Sequence, residues 1–146
     1  MIPYLIMTFL YFVIAIVAAL AASFSSWQLL PWFTGMVWLR IHFITLGILT
    51  QVVFGAMPIL VAKEHNLPRP KIRWDIWLSL NAGIALLLIG IPLFNKVPII
   101  SGGTLVFTAT TLLLIQLAGI RTQSEKMLAV MEGRKFYIAG LFYFLI

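Results

Sequence analysis

Cysteine is absent from this chain of 146 residues. Disulfides, thiolate metal sites and cysteine nucleophiles are therefore excluded. Acid is almost as scarce: the four carboxylates are Glu64, Asp75, Glu125 and Glu132. All four fall in loops or at a span boundary, so no pair of carboxylates lies within the apolar stretches. A proton-coupled transporter usually places an acid inside the membrane, which weighs against that class. No phosphate loop and no nucleophile motif occurs. Histidine is limited to His42 and His65.

What is abundant is apolar surface. Hydrophobic residues make up 62% of the chain and charged ones only 10%, against about 25% charged in soluble domains. The composition is that of an integral membrane protein. The net charge of +6 then reads as loop charge that sets orientation rather than as a nucleic-acid-binding surface. No repeat of 20–50 residues and no low-complexity segment occurs, so residues 1–146 form one membrane domain.

Crossing ~30 Å of hydrocarbon takes about 20 apolar residues. Four stretches qualify, at about 4–24, 36–62, 76–94 and 99–120. A fifth run, 136–146, reaches only about 16 Å at ~1.5 Å per residue, and it looks like a helix cut midway in a chain that continues. The expected fold is all-α: a polytopic transmembrane bundle of four complete spans and a partial fifth. The first run carries small residues in "AALAAS", at spacing that a signal-peptidase site would use. It lacks a basic leader and is too long for a signal core, so it reads as a span.

Basic residues divide unequally between the two sides. Lys63, Arg69, Lys71, Arg73, Arg121, Lys126, Arg134 and Lys135 fall on one side, and Arg40 and Lys96 on the other. The positive-inside rule makes the richer side cytoplasmic. The N-terminus is then cytoplasmic, the second span runs inward, and His42 lies near the outer side. Trp27, Trp32, Trp38, Trp74 and Trp77 fall near span ends, as an aromatic belt does. The inner loop "KEHNLPRPKIR" has Pro68 and Pro70, which predict extended chain. Its cations suit anionic headgroups. In the second inner loop, Met127, Leu128, Val130 and Met131 mark an apolar side, which either continues span four or lies on the membrane surface; Gly133 is a plausible stop.

Polar and small residues within spans first suggest packing. Ser79, Gly83 and Gly90 form a small-residue stripe on span three, beside the polar Asn81. Thr104, Thr108 and Thr111 share a face of span four. Small residues let helices approach closely, and hydroxyls bond across or back to their own helix. In span two, Gly47, Gln51 and Gly55 repeat at i, i+4, i+8. At ~100° per residue they lie about 140°, 180° and 220° from His42, so the seam is expected opposite the histidine. Three roles remain open for His42: an interfacial residue reaching headgroup water or a nearby carbonyl, an interhelical hydrogen bond, or a haem or copper ligand. Met36 and Met57 are soft ligands that suit copper(I), but Met57 lies about 22 Å along the helix from His42. His65 reads as a solvated loop residue.

The pattern His42-x4-Gly47-x7-Gly55, followed by Pro58, resembles the second helix of subunit I of haem-copper oxidases. The segment "GRKFYIAGLFYFLI" also looks like the start of a later helix in that superfamily. In that family the second helix runs inward, and its outer histidine is an axial ligand of the low-spin haem. The resemblance therefore implies haem, with His42 as one axial ligand. It covers about 25 residues. The family draws its second axial histidine from a much later helix, whereas His65 is expected on the opposite side of the membrane.

Two functional expectations follow. One is an accessory or structural subunit of a larger membrane redox or metalloenzyme complex, of the respiratory oxidase or membrane monooxygenase type, not catalytic by itself. The other is a haem-binding redox protein. A small transporter or channel comes third. The expected partners are the lipid bilayer and other membrane subunits, with no nucleic acid.

Overall fold

The computed structural model describes residues 1–24, 28–30, 33–125, 140 and 143. Among the described residues, four helices carry the fold: α1 (Ile2–Ala22), α2 (Gly35–Glu64), α3 (Trp74–Gly90) and α4 (Lys96–Glu125). A short antiparallel ribbon, β1 (Gln28–Leu30) with β2 (Phe33–Thr34), joins α1 to α2. That loop carries no alternating apolar pattern that would mark strands.

Three helices, α1, α2 and α4, are long and apolar enough to cross a membrane. The expectation of four complete spans is met only in part. α3 has 17 residues, about 25 Å at ~1.5 Å per residue. Its expected end at residue 94 falls back to Gly90 because the chain turns there. The Asn95 N–H donates to Gly90 O, and Phe94 adopts a positive φ of 49°. α4 is longer than expected at both ends. Pro98 sits in its first turn, where a missing N–H costs nothing, and the helix continues through the first residues of the second inner loop. Lys126–Gly133 and most of the 136–146 run lie outside the described residues, of which Gly140 and Tyr143 are helical. Trp27 and Trp32 lie outside them as well.

α1 opens with Pro3 in its first turn and carries no charge. Its buried residues, Tyr4, Tyr11, Ala15 and Ala18, mark one face. That face lies on α2, whose glycines accept the two tyrosines. A Cβ at Gly55 would stand 2.9 Å from Tyr4 Cβ, and one at Gly47 would stand 2.7 Å from Tyr11 Cγ. Rising residue numbers on α1 meet falling ones on α2, so the two helices are antiparallel.

α3 and α4 form a second antiparallel pair. A Cβ at Gly83 would come within 2.8 Å of Gly102 O, and one at Gly102 within 2.9 Å of Gly83 O. Near the turn, Gly90 faces Pro98 and Ile99 at the same range. The backbones therefore touch, as small residues at membrane helix crossings allow. Ile76, Leu80, Ile84 and Leu88 form the four-residue stripe that α3 buries. With Phe54, Ala109 and Leu113 they join both pairs in one core.

The first inner loop is non-helical from residue 67 to 73, and Arg73 is extended. α2 closes through Asn66, which takes a positive φ of 55° while Leu67 N–H donates to Ala62 O at 2.8 Å. Asp75 enters the first turn of α3, where a negative charge suits the helix N-terminus. Its carboxylate accepts hydrogen bonds from Arg73, and that guanidinium holds the Asp75 carboxyl below the usual carboxylate range.

Candidate functional site

His42 and the glycine–glutamine seam occupy one helix but are separated by an irregular segment. From Phe43 to Leu49 the helix follows the wider i→i+5 pattern. Such a turn takes up about one extra residue, so the helix beyond it is rotated by roughly 100° relative to an unbroken α-helix. Regular periodicity therefore does not set the angle between His42 and Gln51 or Gly55, while Gly47 lies within the wide segment itself. Thr50 follows this segment and bonds back into it. Its hydroxyl donates to Leu46 O and is 3.3 Å from Gly47 O. Thr50 is 1% exposed, so water does not supply these bonds.

The His42 ring is half-buried and packs on its own helix. It stacks on Trp38 with centroids 4.1 Å apart and planes 26° from parallel. Its Nδ1 lies 2.8 Å from Trp38 O. A carbonyl only accepts, so Nδ1 donates this bond, and in the neutral ring the lone pair is on Nε2. This places a satisfied histidine against a neighbouring carbonyl. It also fixes the tautomer in the way that outer-shell carbonyls fix metal-bound histidines.

The seam residues are brought together with α1 and α3. Gln51 is fully buried, and its Nε2 donates to Asn81 Oδ1 at 2.8 Å. Asn81 Nδ2 donates back along α3 to Trp77 O at 2.8 Å. Tyr11 Oη reaches the same Asn81 oxygen at 3.4 Å. One asparagine oxygen thus ties α1, α2 and α3 together. Sequence reasoning noted Asn81 as a polar residue within a span but did not single it out. Its signal was an amide in an otherwise apolar helix, where an amide without a partner costs several kcal/mol, roughly. Gln51 Oε1 and Trp77 Nε1 are buried without a hydrogen-bond partner among the described residues.

On α3, Gly83 and Gly90 lie at the α4 contact and Ser79 is half-buried on the same helix. The threonines differ from expectation. Thr104, Thr108 and Thr111 do share a face, but it is exposed, and each hydroxyl donates to its own helix at Ile100, Thr104 and Phe107 O. On α4 the buried threonine among the described residues is Thr110, whose hydroxyl donates to Val106 O. A shared face in sequence does not say which face meets a neighbour, and Gly102 decided it. Gly102 and Ala109 turn the other side of α4 inward.

The chain matches no protein-family model, no curated protein and no solved structure. His65 caps the far end of α2, 23 residues beyond His42 along a helical path, so the two histidines do not meet. Among the described residues, no group of three or more His, Asp or Glu side chains is placed to hold a metal.

Proposed function

We propose that this chain is an integral membrane subunit of a larger membrane redox or metalloenzyme complex, in which it serves a structural or accessory role. Its N-terminus is cytoplasmic, α3 completes a fourth crossing, and His42 stands near the outer side. The observation that supports this reading is how the intramembrane polar groups are used. Gln51, Asn81 and Tyr11 bond to one another, and the threonines bond to their own helices. The first three tie helices together, and the threonine hydroxyls are satisfied by their own backbones. Meanwhile the outer faces are bare: only 17% of the α1 span and 22% of the α4 span are buried, which leaves wide apolar surfaces for lipid and other subunits. Purification from native membranes in mild detergent tests it. A larger redox enzyme should co-migrate with the chain on a native gel, and a monomer that brings no partner overturns the proposal.

The geometry of His42 favours a second reading, a haem-binding redox subunit. Nδ1–H is engaged by Trp38 O, and Trp38 stacks on the ring face rather than at its edge. Nε2 is the atom with which His42 would hold haem iron. The second axial ligand would come from beyond the described residues or from a partner subunit. A reduced-minus-oxidised visible spectrum decides it. Haem bands lost in His42→Ala support ligation, and haem bands unchanged in that variant exclude it.

A further inference from the structure

At the basic end of the bundle, the closure of α2 builds an open groove of about 440 Å³ lined by Ile59, Ala62, Lys63, Asn66, Leu67 and Arg69. We propose that this groove binds the phosphodiester headgroup of an anionic phospholipid. The inference is independent of the redox reading and needs only that the chain is embedded in a bilayer.

Charge and placement select the occupant. Lys63 and Arg69 are both exposed at the groove, and neither is paired with a carboxylate among the described residues. Asp75 is engaged by Arg73, and the remaining nearby acid is Glu64, the exposed neighbour of Lys63 on the helix. An ammonium and a guanidinium together suit a phosphate: Lys as a point charge, Arg as a fork for two oxygens. Asn66 adds an amide between them. The floor is apolar, with Ala62 buried and Ile59 and Leu67 half-buried, as the glycerol and upper acyl carbons require. Ile59 and Ala62 belong to the last turns of a membrane-length helix, which sets the groove at headgroup depth.

A helix C-terminus is ordinarily unfavourable to an anion. Here its carbonyls are already occupied: Ala62 O accepts from Leu67 N–H, and Lys63 O accepts from Asn66 N–H at 3.1 Å. The positive φ of Asn66 is what folds the chain back to make these bonds. Beyond the same turn, Arg69 lines the groove together with Lys63.

The test uses the full chain in neutral detergent, titrated with short-chain phosphatidylglycerol, short-chain phosphatidylcholine and inorganic phosphate. Binding is read by native mass spectrometry and by tryptophan fluorescence. Phosphatidylglycerol should bind at least tenfold more tightly than phosphatidylcholine, and inorganic phosphate should not compete at equal concentration. Lys63→Gln with Arg69→Gln should weaken phosphatidylglycerol binding about 30-fold, from ~1 kcal/mol per basic residue at an anionic surface. Lys63→Arg with Arg69→Lys should retain it, and Lys96→Gln at the other end should leave it unchanged. Equal binding of the two lipids overturns the proposal, as does full retention by the doubly neutralised variant. Phosphate that binds as well as the lipid would also overturn it, in favour of a site for the free ion.

Discussion

At the residue scale, the most consequential side chains are those that answer a backbone or amide group which lipid leaves without water. The buried Thr50 hydroxyl donates to Leu46 O in the wide turn at Phe43–Leu49. Thr50→Val keeps the shape and removes the donor. It should cost about 1 kcal/mol, measured by reversible unfolding in mixed micelles, whereas Thr108→Val on the exposed face should be near neutral. Asn81 has a larger role because one oxygen serves two other helices. Asn81→Ala should lower stability by about 1–2 kcal/mol. A double-mutant cycle with Gln51→Ala should return a coupling near the ~0.6 kcal/mol typical of interhelical hydrogen bonds in membranes. A coupling of zero would mean that the Gln51–Asn81 bond contributes nothing net.

Elements are decided by close approach. Four helices follow from four apolar stretches, but their pairing follows from glycines that meet something specific. At Gly83 an added methyl meets backbone atoms, Gly102 O and Val106 N, which do not rotate away. Gly83→Ala should therefore force α3 and α4 apart and destabilise by about 1–3 kcal/mol. Gly103 is the internal control: beyond its own turn of helix, no atom of the described residues lies within 4 Å of its would-be Cβ. Gly103→Ala should be neutral or slightly stabilising, since alanine is the better helix former. Gly47 falls between these cases. Its added methyl meets Tyr11 Cγ and Cβ, so Gly47→Ala should be rescued in part by Tyr11→Ala, which removes Cγ and the ring, read as recovered thermal stability in detergent.

For the whole molecule, charge asymmetry carries the clearest expectation. The absence of native cysteine makes single-cysteine labelling clean. In intact cells, Lys96→Cys should react with a membrane-impermeant maleimide, and Lys71→Cys should react only after permeabilisation. The opposite pattern would invert the proposed orientation and move His42 to the cytoplasmic side. In the proposed orientation, the groove at Lys63 and Arg69 would face the leaflet that is richer in anionic lipid.

Much of this was legible in the linear sequence, for a physical reason. Lipid imposes length and composition on every segment that crosses it, so Ile2–Ala22, Gly35–Glu64 and the body of α4 are written into local hydrophobicity. The i, i+4, i+8 seam of Gly47, Gln51 and Gly55 was also local, because small side chains at helical spacing make a groove whatever fills it. What filled it was not local. Only the packed bundle placed Tyr4 and Tyr11 in the two notches, set Asn81 against Gln51, and turned Thr104, Thr108 and Thr111 outward while Thr110 went inward. The wide turn before Thr50 is likewise a tertiary outcome. It changes the rotation between His42 and the seam by an amount that regular periodicity cannot express. Hydrophobicity is a property of each segment alone, whereas the choice of face and partner depends on shape and hydrogen bonds shared between segments far apart in the chain.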